Sequence, residues 1–410
     1  MHAIVFGAGN IGRSFIGQLF AAGGYRVTFV DVNEALVTEL NRRGRYCVEV
    51  KGPQPAEIWV EGVSAVDGRD RAAVVEALVQ ADIAATAVGG GALPHVYPAL
   101  AEGLQRRLAE GRPPLDILIL ENLRHAAEAF ATGLREHLPA DFPLEVSVGL
   151  IETSVGKMVP IMPDAVKAQD PLVVYAEVYN TLPVDATAFK NPIPAIPGLD
   201  PKQHMAAYVD RKSFIHNLGH AACAYTAYLL DPALTYLWEA VEQPRIRRAA
   251  RTAMWESACA LIRRYPTEFD EANQGAHIED LLDRFANRAL GDTIFRVGRD
   301  LPRKLSREDR LVGALIMDAE EGVPAPATSL SLAAGFFFRA ADEHGAVFPA
   351  DAQFARDLEA GGLGWAFTQV CGLREDAALD AGIRAEVTRR HEDLGSRPED
   401  WLDRLLRGEL

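Results

Sequence analysis

The 410-residue chain has 57 acidic and 42 basic residues, a formal net charge of −15 at pH 7, 49% apolar residues and 24% charged ones. That composition excludes wholesale disorder, and the chain outruns a single core, which stops growing near roughly 250 to 300 residues, so two domains are expected. The acidic balance excludes non-specific binding to nucleic acid or a membrane, so any anionic ligand needs a local cluster of Arg and Lys. Cys47, Cys223, Cys259 and Cys371 form no C-x-x-C pair, and the N-terminus has no signal-like apolar run, so a cytoplasmic protein is expected.

In chain order, His2 to Phe6 is an apolar run that breaks into Gly7-Ala8-Gly9-Asn10-Ile11-Gly12 and then a helical pattern from Arg13 to Ala22. A G-x-G-x-x-G between a strand and a helix lets backbone approach a pyrophosphate at the helix N-terminus. The next strand, Arg26 to Val30, ends at Asp31, where a carboxylate can accept ribose hydroxyls and repel a 2′-phosphate, so NAD is favoured over NADP. The alternative is that Asp31 caps the helix from Glu34 to Arg43. Tyr46 to Val50 and Glu57 to Val60 read as a strand pair, followed by a helix near Arg71 to Val79. Ala81 to Val88 is a buried strand that would deliver Val88 and the glycine run Gly89 to Gly91 to the ligand crevice. Leu93 to Leu108 reads as a helix and Asp116 to Leu120 as a strand leading to Glu121-Asn122. Asn122 is therefore either a site amide or the cap of a helix from Leu123 to Leu138.

Val146 to Leu150 continues the sheet, and Pro171 to Val178 adds a strand-like run. Pro192, Pro194, Pro197 and Pro201 crowd too densely for helix or central strand, which predicts a connector, with a Rossmann-type α/β domain over 1–195 and a mainly helical one over 196–410. Helical spacing then covers Gln203 to Leu230, Gln243 to Arg264, Ile278 to Asn287, Arg307 to Glu321 and Ser329 to Glu343.

The helical part opens with Arg211-Lys212-Ser213-Phe214-Ile215-His216-Asn217-Leu218-Gly219-His220. At roughly 100° per residue, Asn217 lies about 140° and His220 about 80° around from Lys212, so the three share one broad helix face. A lysine, an amide and an imidazole can supply a base, a neutral donor and an orienting group for alcohol oxidation without a metal. The plainer alternative is a surface lysine, a helix-breaking Asn and a core histidine. His216 and His220, four residues apart, could be half of a metal site, but no Glu of the H-E-x-x-H kind or cysteine cluster completes one, and no metal is expected. Arg296, Arg299, Arg303 and Lys304 are the densest basic stretch, suited either to a substrate phosphate or to a helix C-terminus.

The segments Phe6 to Arg13, Asp31 to Asn33, Thr86 to Gly89, Glu121-Asn122, Arg211-Lys212, Asn217 to His220, Val297 to Arg299 and Arg303 to Leu305 together resemble the polyol-specific long-chain dehydrogenases, the mannitol dehydrogenase family, over nearly the whole chain. The likeness is strongest to members acting on a hexitol phosphate. It implies metal-independent, NAD-linked interconversion of a polyol, or its phosphate, with a ketose, by a monomer or homodimer with a small-molecule substrate. It also implies that Lys212 is the general base, that Asn122 and Asn217 hold the reacting oxygen, and that His220 lines the site. The chain departs from the family at Val155-Gly156-Lys157-Met158-Val159-Pro160, where Asp-Arg is usual after the valine, at the Gly89-Gly90-Gly91 run, and at Tyr179-Asn180-Thr181-Leu182. An unphosphorylated hexitol, a hexonate, or a non-catalytic NAD-binding regulator are the rival readings.

Overall fold

The computed structural model describes residues 1–396, 403, 404 and 407. The chain divides into two compact units, Met1–Val209 and Asp210–Leu410. The proline-rich stretch that suggested a boundary after residue 195 thus lies within the first unit.

That first unit contains β1 (His2–Phe6), β2 (Arg26–Asp31), β3 (Arg45–Val50), β4 (Ala56–Glu61), β5 (Val63–Asp67), β6 (Ile83–Thr86), β7 (Leu115–Ile119), β8 (Val148–Glu152), β9 (Val174–Ala176), β10 (Leu182–Asp185) and β11 (Leu199–Lys202). Six of them form a wholly parallel sheet in the order β5-β2-β1-β6-β7-β8. The order reverses between β1 and β6, and such a switch point opens a crevice at the carboxyl ends of the strands. Both faces are covered, so apolar residues alternate between two cores. Ala3 and Val5 pack with Phe15, Ile16 and Phe29 on one side, while Ile4 and Phe6 pack with Val74, Leu78 and Leu100 on the other.

The sequence reading passed over β5, a short run at the sheet edge. The edge is protected by a side chain: Asn41 Nδ2 donates to Ala65 O at 2.9 Å and Asn41 Oδ1 accepts from Ala65 N at 2.8 Å, replacing a missing neighbour strand. The expected hairpin β3–β4 is antiparallel, and β9 joins it in parallel through Val48↔Val174. Pro201, expected in a connector, lies in β11, which pairs only with β10, so its lack of an N–H is tolerated.

The second unit is helical: Met205–Arg211 runs into it, followed by Leu218–Leu230, Pro244–Arg264, Glu271–Phe285, Val312–Glu320, Pro326–Phe336, Pro349–Trp365 and Ala378–Ser396 among others. The Leu218–Leu230 helix is small-residue rich and almost wholly buried to Ala227, against Pro244–Arg264 and Pro326–Phe336. The helix expected from Ser329 to Glu343 stops at Phe336, where Arg339 Nη1 donates to Phe336 O at 2.9 Å and to Phe338 O at 2.7 Å, and Asp342 then turns the chain by accepting from the His344 and Ala346 amides. A buried carboxylate, Glu256, holds the N-terminus of Pro326–Phe336, accepting from Ala327 N, Thr328 N and Thr328 Oγ1 at 2.9 Å each. Burial raises Glu256 to about 7 against those bonds, and burial with the Glu256 charge raises its neighbour Asp318 well above the usual range.

Candidate active-site residues

The glycine loop follows β1, and each glycine answers a different demand. Gly7 has φ +98°, and a Cβ there would lie 2.5 Å from Ala87 O, so the turn requires glycine. A Cβ on Gly12 would collide with the Gly7 carbonyl, so glycine is what lets the helix close onto the strand. Gly9 has no such internal reason, because a Cβ there would meet nothing within 4 Å. It is exposed at the start of the helix, beside Asn10 and the partly buried Ile11, where backbone amides are open to an anionic ligand. This arrangement fits the pyrophosphate of a dinucleotide, the second glycine being the one whose reason lies outside the protein.

Asp31, at the carboxyl end of β2, fixes the loop: Ala8 N donates to its Oδ2 at 2.7 Å and Asn33 N to its Oδ1 at 2.8 Å. It does not cap the next helix, since Asn33 does that by accepting from Ala35 N and Leu36 N. Arg13, quoted only as part of the motif, is buried and clamps the loop, donating from Nε to Ala8 O at 2.7 Å and from Nη1 to Leu172 O at 2.7 Å. Residues Gly12–Gly17 form a π-helical turn whose Arg13 carbonyl accepts from Tyr46 Oη at 2.7 Å.

At the ends of β6 and β7, buried Glu121 accepts from Val88 N at 3.0 Å and ties down the loop entering Gly89, whose φ is +85°. Asn122 next to it is exposed and is not a helix cap, because the following helix, Ala126–Arg135, starts after His125 in a left-handed conformation and receives Glu152 Oε1 at Ala126 N. Two of the three departures from the family pattern meet in space. Buried Lys157 donates to Asn180 Oδ1 at 2.8 Å, and a Cβ on Gly156 would lie 3.6 Å from the Tyr179 ring.

In the second unit the Lys212–Asn217 stretch is a π-helical turn between Met205–Arg211 and Leu218–Leu230. The 100° rule used to place Asn217 and His220 relative to Lys212 therefore does not apply across it, since i→i+5 bonding puts more residues into the turn; π-turns of this kind recur at functional sites. Lys212 and Asn217 are both partly buried. Burial, then the positive charge of Arg310, lowers the Lys212 ammonium to about 8. The His220 ring stacks on Phe285 with centroids 4.0 Å apart, and its Nε2 is buried without a hydrogen-bond partner. His216 packs edge-on against His220 at 5.2 Å, and burial pushes both imidazoles well below their usual range, so both are neutral at pH 7. Among the described residues no three His, Cys, Asp or Glu side chains gather as a metal site.

The basic stretch divides. Lys304 is buried and donates to Val297 O at 2.5 Å; burial, then Arg310 and Arg303, lowers it to about 7. Arg296 pairs with Asp292, and Arg303 donates from Nε to Asp300 at 2.5 Å and from Nη1 to Asp309 at 3.2 Å. The Arg299 guanidinium lies 5.4 Å from each of the Phe295 and Phe348 rings. Arg310, which the sequence reading passed over, is the first-ranked charged neighbour of Lys212, His220 and Lys304 alike. It lies about a hundred residues beyond the lysine motif, in a stretch with no motif of its own, so no local signal could have found it.

A family model described as the mannitol dehydrogenase Rossmann domain matches residues 1–198, and one described as the mannitol dehydrogenase C-terminal domain matches residues 204–364. Mannitol-1-phosphate 5-dehydrogenase of Brevibacillus brevis is 37% identical over 401 residues, 97% of this chain and 100% of the relative. In fold the chain is similar to Pseudomonas fluorescens mannitol 2-dehydrogenase, solved as a ternary complex with NAD and D-mannitol, at TM-score 0.78 and 17% identity over 99% of this chain and 94% of that one. It is also similar to a D-sorbitol dehydrogenase in substrate-free form, at TM-score 0.77 and 16% identity over 96% and 93%.

Proposed function

The chain belongs to the mannitol dehydrogenase family of NAD-dependent polyol dehydrogenases, and on that premise we propose that it interconverts a hexitol phosphate and a ketose phosphate with Lys212 as general base. The observation that carries the reading is Lys212 itself, brought to about 8 by burial and by Arg310, and so able to give up and regain a proton near neutrality. Gly7, Ala8, Gly9, Asn10, Ile11 and Gly12 hold the pyrophosphate, Asp31 the adenosine ribose, and Val88 with Gly89 the far side of the cofactor. NAD, when bound, would supply the acceptor for the hydride of the carbinol carbon. Neutral Lys212 would take the hydroxyl proton, and the Asn217 amide in the same unit would donate to the oxygen as it becomes an alkoxide. His220, neutral and stacked on Phe285, offers a donor or acceptor to a hydroxyl without adding charge.

A phosphorylated substrate is favoured because cations crowd around Lys212 and His220 in a protein of net charge −15. The name of the Brevibacillus relative supports the same substrate. A hexonate is the second reading, since the Gly156-Lys157 replacement removes an acid the family usually carries and a carboxylate would also answer the positive charge. NADH formation across hexitols, hexitol phosphates and hexonates decides between them. Turnover confined to unphosphorylated hexitols would overturn the phosphate reading.

A further inference from the structure

The buried guanidinium of Arg310 is only partly used by the protein. Its Nε donates to Asp309 Oδ1 at 2.7 Å, and its own backbone N–H donates to the same oxygen at 2.6 Å. The other Asp309 oxygen accepts from Arg303 Nη1 at 3.2 Å, so Asp309 holds the two arginines side by side. Among the described residues no acceptor faces Nη1 or Nη2 of Arg310, although the residue is only 7% exposed. Unlike His220 Nε2, these two nitrogens are not sealed away from water, so the outer fork is open to the acceptors of a ligand.

The surroundings say what that ligand is. Arg310 is the leading charged neighbour of Lys212, His220 and Lys304, which places the open fork among the groups assigned to the site. Among the described residues Arg296, Arg303 and Arg310 are paired with Asp292, Asp300 and Asp309, and Asp351 lies near enough to Lys304 to feel its charge. A phosphate monoester carries about −1.5 to −2 near neutrality and presents oxygens in the geometry a guanidinium fork matches, whereas a carboxylate carries one charge. Arg299, by contrast, is occupied by two aromatic rings.

We propose that the Nη1 and Nη2 groups of Arg310, with Arg303 beside them, receive the phosphate of the substrate, and that Arg299 takes no part. The proposal rests on the reading of the substrate as a polyol phosphate. It is tested by NADH formation on mannitol 1-phosphate, mannitol and mannonate, using the wild type, Arg310→Gln, Arg310→Lys and Arg299→Ala, with NADH binding by fluorescence as the check on folding.

Two charge-assisted bonds lost should raise KM for mannitol 1-phosphate in Arg310→Gln on the order of a hundredfold more than KM for mannitol. Arg310→Lys, a point charge without the fork, should fall between, and Arg299→Ala should change neither ratio. If the wild type prefers the phosphate and Arg310→Gln raises both KM values alike, the assignment of Arg310 falls and the substrate reading stands. A wild type indifferent to the phosphate overturns the substrate reading and this proposal with it. A wild type that prefers mannonate, with the loss in Arg310→Gln confined to it, makes the site a carboxylate site and overturns the proposal. Should Arg310→Gln not bind NADH, Arg310→Lys decides: a KM rise selective for the phosphate supports the assignment, and equal effects overturn it.

Discussion

At the scale of single residues, the catalytic assignment depends on how a lysine becomes a base. An ordinary ammonium near 10.5 would be protonated at pH 7, and burial with the neighbouring Arg310 brings Lys212 to about 8. If the neutral amine is the proton acceptor, polyol oxidation should rise with pH and level off above about 8, while ketose reduction, which would need the ammonium, should decline over the same range. Lys212→Ala should fold, bind NADH, lose oxidation rate by roughly 10² to 10⁴-fold and lose that ionisation from the pH profile; an alanine variant with normal turnover and an unchanged profile would remove Lys212 from the mechanism. Asp31 is the second such residue. It accepts from the Ala8 and Asn33 amides, and a carboxylate at the end of this strand is expected to repel a 2′-phosphate. Asp31→Ala should narrow the preference of kcat/KM for NAD over NADP, at some cost in NAD affinity because the glycine loop loses an anchor. A wild type using both cofactors equally would contradict this. Lys212, Asn217, His220 and Asp31 could be proposed from the sequence because each sits in a motif. Arg310 could not, because only folding brings it to Lys212.

At the scale of elements, the π-turn at Lys212–Asn217 shows where periodicity misleads. Hydrophobic spacing identifies a helix but does not register a local change in hydrogen bonding, which packing decides. The edge strand β5 was missed for a related reason: its five residues carry little pattern, and it exists because β2 and the Asn41 amide supply partners for its backbone. The N-terminus of Pro326–Phe336 gives an element-scale prediction. Glu256 satisfies three donors there, yet burial holds its carboxyl at about 7, above the ordinary value of 4.5. The native state thus binds this proton more tightly than the unfolded chain, so its contribution is present in full below about 4.5 and is lost as pH rises towards 7. Thermal melts of the wild type against Glu256→Gln, which keeps an acceptor but cannot ionise, should show the variant gaining on the wild type by a few degrees between pH 5 and 7.5, at roughly 2 to 4 °C per kcal/mol for a domain of this size. A gap independent of pH would mean that Glu256 is not held protonated.

At the scale of the whole molecule, two family models cover 1–198 and 204–364, and the described helices include none long and apolar enough to cross a membrane. The chemistry assigned to Lys212 and Asn217 needs no metal, and the described residues gather no trio of ligating side chains. Activity should therefore survive prolonged dialysis against a chelator, with metal analysis of the active protein as the check. Zinc at one per chain, removed together with the activity and restoring it when returned, would refute this.

The sequence by itself determined the α/β class of the first unit, the helical class of the second, the glycine loop, Asp31 and the lysine motif. Each is written locally, as two-residue or helical periodicity, as a glycine where backbone must turn or be approached, or as a spacing within ten residues. Only the tertiary structure decided that Arg13 clamps the loop through Leu172, that Glu121 steadies Val88, that Gly156-Lys157 and Tyr179-Asn180 form one contact, and that Arg310 is the leading charged neighbour of a buried Lys212. These are pairings between residues far apart in the chain. Burial and electrostatic interaction depend on distance in space, which a one-dimensional pattern does not carry.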